Sequence, residues 1–202
     1  QLCRARPGQG AARAGVRAEH SALLSHWNAA PRISLAYQFP DRGQVSFAYG
    51  IFYQNPDYKY LPSSADLHFE KATHYILQYQ KIAHQRIFRS EIFYKKYTDL
   101  IKASGNYGRL TAVNNKGFGD AKGIEVFWRD KKSFRNFDYW MSYSYLDTKR
   151  NFLNYPTAIE PPFASKHTAS VVLKTFFLPW KLQLNGSYTF ATGRPYYDFY
   201  SD

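Results

Sequence analysis

The chain has 202 residues, enough for one domain or part of a larger one, and 19% of them are aromatic, led by Tyr and Phe. Its mean hydropathy is -0.52 and it holds no apolar run of about 18 residues, which excludes a membrane-spanning helix but not a transmembrane barrel, whose strands need only about 9–11 alternating residues. A single cysteine, Cys3, excludes a disulfide framework, and the net charge of +12 is dispersed over turns and the first segment, not gathered into a nucleic-acid-binding stripe.

Residues 1–30 are rich in Ala, Arg and Gly, with almost no aromatic and no period of 2 or 3.6. No apolar core follows the first basic residues, so this is not a signal peptide. The segment is expected to be disordered, or to be a non-native leader such as a shifted frame or fusion scar.

From Ile33 onward the period is 2. Ile33, Leu35, Tyr37 and Phe39 alternate with small or polar residues, and so do Val45, Phe47, Tyr49, Ile51 and Tyr53. Tyr75, Leu77 and Tyr79 follow, then Phe88, Ile92 and Tyr94. The stretch KGIEVFWRDKKSFRNFDYWMSYSYLD, residues 122–147, supplies two strands around a charged turn, and residues 166–177 and 180–190 supply two more. This predicts an all-β chain of about eight strands, each long enough to cross an apolar band of about 25 Å.

The connections are predicted to alternate. Short ones fall near 40–43, 81–84, 131–136 and 178–179; long ones fall near 54–71, 98–119 and 148–165, with a fourth opening at Ala191. Outer-membrane barrels alternate short periplasmic turns with longer outer loops. One face of each strand would then meet lipid and the other a polar lumen, where Arg89, Glu91, Glu125 and Arg129 can stay hydrated. Those four charges are expected to pair across strands or with a domain inside the lumen. Trp128, Tyr143, Tyr145, Trp180 and Tyr188 are girdle candidates whose partner is outer-membrane lipid. Because the first connection reads as short, the piece is expected to come from the middle of a larger barrel. A closed eight-stranded barrel is the lesser alternative.

Several stretches resemble those of TonB-dependent outer-membrane receptors, in the Bacteroidetes style. NNKGFGDAKGIEVFW (114–128) is similar to a loop-then-strand passage in which a glycine and a glutamate open a strand. WMSYSYLDTKRNF (140–152), PPFASKHTASVVLK (161–174) and LNGSYTFATGRPYY (184–197) resemble the passages that follow it, and FRSEIFYKKYTDLI (88–101) resembles a further strand. The resemblance spans roughly 31–200 and implies a barrel of about 22 strands with a plug domain inside. It implies active import of a large, scarce solute such as an iron chelate, cobalamin or a glycan, energised through the TonB complex. On this reading residues 31–202 form part of the barrel, and two open edges and an apolar face predict insolubility in water.

No catalytic constellation stands out, and no cofactor or metal is expected: the six histidines lack close ligand spacing. GFGDAKG (117–123) has the spacing GxGxxxG and precedes a strand, so it fails as a dinucleotide fingerprint. Its glycines are expected to let an outer loop turn tightly. The loop candidates for ligand contact are Tyr58, Tyr60, Asn114, Asn115, Lys116, Asn154, Tyr155, Arg194 and Tyr196, since rings and amides can stack on a sugar or chelate and bond its rim. Folding each loop over itself is the plainer role for any of them. The competing functions are a small barrel or adhesin that imports nothing, and a soluble all-β module for polyanions or glycans.

Overall fold

The computed structural model describes residues 8–63, 66–106 and 109–197. They form one antiparallel sheet of nine strands, hydrogen-bonded in sequence order. The strands are β1 (Gly10–Ser21), β2 (His26–Gln38), β3 (Gly43–Gln54), β4 (Glu70–Ala83), β5 (Arg86–Asn106), β6 (Arg109–Asp130), β7 (Phe137–Asn151), β8 (His167–Phe177) and β9 (Leu182–Ala191). Every strand pairs only with its neighbours in the chain, and the sheet stays open, with β1 and β9 as its edges.

Disorder was expected over residues 1–30, of which 1–7 lie outside the described residues, but residues 10–21 form a strand and 26–30 open the next one. Gly10 to Ser21 pair rung by rung with Tyr37 back to His26. Small residues with weak strand preference are held extended because the neighbouring strand supplies a complete ladder. The sheet therefore has nine strands where about eight were expected.

The alternation of apolar and polar residues becomes two faces. Leu35, Phe47, Leu77, Ile92, Ile124, Tyr145 and His167 lie in one continuous cross-strand row. One residue along each strand, on the opposite face, runs Ala36, Ser46, Gln78, Glu91, Glu125, Ser144 and Thr168. Leu35, Leu77 and Ile92 are half exposed, an apolar surface that water would penalise by roughly 25 cal/mol per Å². Hydrocarbon removes that penalty.

At one end of the sheet the connections are tight. Residues 84–85 close β4 onto β5, and both have positive φ (51° and 62°), the geometry of a two-residue hairpin turn. The turn between β6 and β7 is organised by Asp130, which is 2% exposed. Its carboxylate accepts hydrogen bonds from the Lys132 and Ser133 amides, the Ser133 hydroxyl and Arg86 Nε. Burial works against its charge, but the Ser133, Lys132 and Arg86 hydrogen bonds win and hold the carboxyl well below its ordinary range. Asp41 similarly accepts from Lys81 Nζ at 2.6 Å and from the Gly43 amide at 3.0 Å.

The opposite end differs from expectation in two places. The connection between β1 and β2, residues 22–25, is short, so the alternation of short and long fails there. The expected loop over 98–119 is strand wherever it is described, because β5 and β6 run on as a hairpin well past the apolar rows. Asp99, with φ 60°, sits in a bulge between Tyr97 and Leu100 that resets the alternation. Gly117, Gly119 and Gly123 thus lie inside β6 and do not have the positive φ of a tight turn. An added Cβ would meet backbone carbonyls at 2.6 Å at Gly117 and Gly119 and at 2.2 Å at Gly123. They are glycines because strands and side chains approach closely, which corrects their assignment to a turning loop.

Candidate functional site

Two surfaces can meet a solute or another domain: the loop end and the polar face. At the loop end, segments from four connections fold over one another. Leu24, Tyr60, Leu67, Phe69, Ile101, Ala103 and Val113 form a small buried core, with Tyr53, Leu61 and Leu153 against it. Polar groups tie the same segments together. Asn115 is buried and receives the His68 amide at 3.0 Å, while its own amide donates to the carbonyls of His68 and Asp99. Glu70 accepts from the Ile101 amide at 2.9 Å. Burial raises the Glu70 carboxyl above its ordinary value, against the opposing pull of that hydrogen bond and of the Arg150 charge. Lys102 Nζ donates to Asn151 Oδ1 and to the Tyr155 carbonyl.

These contacts sort the loop candidates. Tyr60, Asn115 and Tyr155 are buried in the loop packing. Asn114 is half-buried, and its side chain accepts from the Lys116 amide at 2.9 Å. Tyr58, Lys116, Asn154, Arg194 and Tyr196 are exposed, Tyr58 and Tyr196 most fully. Lys59 Nζ lies 4.8 Å from the Tyr60 ring centroid. The structure therefore buries Tyr60, Asn115 and Tyr155 within the loop packing and leaves the five exposed groups at the loop end.

On the polar face, the four predicted charges do not pair with one another. Glu91 lies directly across from Glu125, carboxylate beside carboxylate. Among the described residues neither has an ion-pair partner. Together with Arg89, Phe127, Ser144 and Thr168 they line a groove of about 360 Å³. Arg89 leans over the Phe127 ring at 5.7 Å. Arg129 instead makes a two-pronged bond with Asp138, at 3.0 Å from Nε and 2.6 Å from Nη2, and lies 5.1 Å from the Trp140 ring. Asp138 was not a candidate from sequence. A hairpin fold-back about residues 131–136 was the only signal that could have found it.

Of the girdle candidates, Trp128, Tyr143, Tyr145 and Tyr188 share the apolar face. Trp180 lies in the short 3-10 turn Leu178–Trp180 and is 77% exposed. Trp140 stands across from Arg129 on the polar face.

Comparison with known proteins gives a consistent picture. The family model described as TonB dependent receptor-like, beta-barrel matches residues 9–202. No curated protein matches the sequence. Among solved structures, the chain is similar to the outer membrane transporter YddB from Escherichia coli. The TM-score is 0.75 at 15% identity, over 93% of this chain and 32% of that one. It is also similar to the FrpB iron transporter from Neisseria meningitidis, with TM-score 0.65 and 13% identity over 79% of this chain and 26% of that one. The ferric-catecholate import receptor Fiu from Escherichia coli K12 gives TM-score 0.59 and 11% identity, over 75% of this chain and 23% of that one. The chain thus spans about a third or less of the length of these structures.

Proposed function

Given that the chain belongs to the TonB-dependent receptor β-barrel family of the Gram-negative outer membrane, we propose that it is a section of barrel wall in an importer of a large, scarce solute. The tight turns 39–42, 84–85, 131–136 and 178–181 then face the periplasm, and the folded loop cluster faces outward. The exposed rim residues Tyr58, Lys116, Asn154, Arg194 and Tyr196 make first contact with the solute, while Tyr60, Asn115 and Tyr155 hold the loops in shape. Asn114 belongs with the latter group. A plug domain fills the lumen and engages the TonB complex.

The observation that carries this reading is the unpaired Glu91–Glu125 couple on the polar face. Two facing carboxylates repel each other, and although Arg89 lines the same groove it makes no ion pair with either of them, so a site of this kind is more stable when a basic group from another element sits between them. A plug resting on this wall supplies one. Iron chelates are the first solutes to try, since FrpB and Fiu are named for iron and ferric-catecholate transport. Cobalamin and glycans follow.

The test uses the complete gene. Energy-dependent uptake of labelled solute should require the intact receptor and vanish when the proton gradient is collapsed. In the Glu91→Gln/Glu125→Gln protein, the interior domain should become accessible to protease while the barrel stays folded. A receptor that carries no solute under any nutrient limitation would favour the non-importing barrel and sink the import reading.

A further inference from the structure

Cations scattered along the chain are gathered by the fold onto one rim, at the tight turns. The carboxylates of that rim are already bound. Asp41 holds Lys81, Asp130 holds Arg86, and Asp138 holds Arg129 with Lys131 at 3.7 Å. Arg42, Lys132, Arg135 and Lys181 have no carboxylate partner among the described residues. All four are exposed.

The turns that hold these cations also hold exposed rings, and each ring is clasped to the apolar face. Phe39 meets Tyr37 edge-on at 5.1 Å. Phe134, 60% exposed, lies 5.9 Å from Phe137 and 6.3 Å from Tyr139. Trp180 stacks on Phe177 at 6.2 Å. Tyr37, Phe137, Tyr139 and Phe177 share the face of the apolar rows. A free cation stands beside each ring. The Arg42 amide closes the first turn onto the Phe39 carbonyl at 3.2 Å, and the Lys181 amide closes the last onto Leu178 beside Trp180 in the same way. Lys132 and Arg135 flank Phe134 in sequence. The turn at 84–85 has neither an aromatic ring of this kind nor a free Lys or Arg. Rings held at the edge of hydrocarbon sit at headgroup depth, and a cation just beyond them is within reach of lipid phosphates.

We propose that this rim is a binding surface for anionic phospholipid headgroups of the leaflet it faces. Arg42, Lys132, Arg135 and Lys181 hold the phosphates, and Phe39, Phe134 and Trp180 rest on the first part of the acyl chains. An acidic protein is the poorer fit, because the rings beside the cations lie on the lipid side of the wall. The proposal rests on the reading above in placing these turns at the periplasm, which makes the leaflet the inner one.

The full-length receptor tests it, with Trp180 as the only tryptophan, reconstituted in phosphatidylcholine bilayers. A small, fixed fraction of the lipid is brominated, either as phosphatidylglycerol or as phosphatidylcholine. Brominated phosphatidylglycerol is expected to quench Trp180 more strongly, through a local enrichment of about fivefold from Lys181. Lys181→Gln should remove that excess and Lys181→Arg should keep it. Quenching by brominated phosphatidylcholine should be the same in all three proteins, which checks that the barrel stays inserted. High salt should shrink the excess. Equal quenching by the two lipids overturns the proposal and leaves the cations to an acidic protein partner. An excess that survives Lys181→Gln overturns it also. The bilayers hold no solute and no energy source, so failure here leaves the import reading standing. Labelling of Asn136→Cys on intact cells by a membrane-impermeant thiol reagent would overturn the periplasmic placement, and with it the assignment to the inner leaflet, whatever the lipid preference.

Discussion

Gly123→Ala isolates the close approach of strands in this sheet. An added methyl would sit 2.2 Å from the Tyr145 carbonyl oxygen and 2.7 and 3.0 Å from two atoms of the Phe93 ring. Ordinary carbon–oxygen contacts begin near 3.3 Å, so about 1 Å of movement is required. The carbonyl cannot supply it, because β6 and β7 pair without a break from Phe118↔Asn151 to Asp130↔Tyr139. The Phe93 ring is 6% exposed and has little room to turn. Overpacking of this kind costs about 1–3 kcal/mol, against about 0.5–1 kcal/mol gained by removing a flexible glycine. A net change between about zero and a loss of about 2.5 kcal/mol is expected. Gly186→Ala is the control: nothing lies within 4 Å of its added Cβ, so only the gain from removing a flexible glycine remains, about 0.5–1 kcal/mol of stabilisation. Urea unfolding of the lipid-reconstituted receptor, followed by tryptophan fluorescence, reads both. If Gly123→Ala and Gly186→Ala unfold at the same denaturant concentration, the steric argument is wrong.

Asn115→Ala should strip three hydrogen bonds from buried loop backbone, costing about 1–3 kcal/mol locally. Its signature is faster proteolysis of the connection between β3 and β4 with the barrel unfolding unchanged; equal proteolysis would show that the hub is redundant. Asp130 has a lower pKa folded than unfolded, so its contribution is fully present above the ordinary aspartate range and is lost as pH falls through that range toward the folded value. The stability gap between wild type and Asp130→Asn should therefore be constant at neutral pH and shrink in acid; a gap that widens in acid would reverse the sign. Among single-tryptophan variants, brominated lipid should quench Trp128 on the apolar face and spare Trp140 on the polar face. Equal quenching would contradict the assignment of faces.

The faces were legible because lipid and lumen impose a strict period of 2. Leu77 and Ile92 could be placed on one side, and Glu91 and Glu125 on the other, from alternation alone. Residues 98–119 were illegible for the same reason in reverse. Beyond the apolar rows no lipid separates the faces, the Asp99 bulge breaks the period, and Asn and Gly there looked like loop. β1 was missed because its Ala, Arg and Gly carry little strand preference, and only its ladder with β2 makes it extended. At the candidate site, the residue types at the rim were readable. The burial of Tyr60, Asn115 and Tyr155 was not, because it arises where loops distant in sequence meet. The partnership of Arg129 with Asp138 likewise depends on the exact fold-back of one turn.

The meander order carries a consequence for how such a chain can change. Each strand takes its register from the one before it, through the turn that joins them. One residue removed from the middle of β4 would exchange inside for outside in the remainder of that strand, setting Gln78 or its neighbours against hydrocarbon. A dozen residues added to the connection at 152–166 would leave every rung of β7 and β8 where it is. The loop end is thus free to vary in length and chemistry while the wall beneath it stays constant.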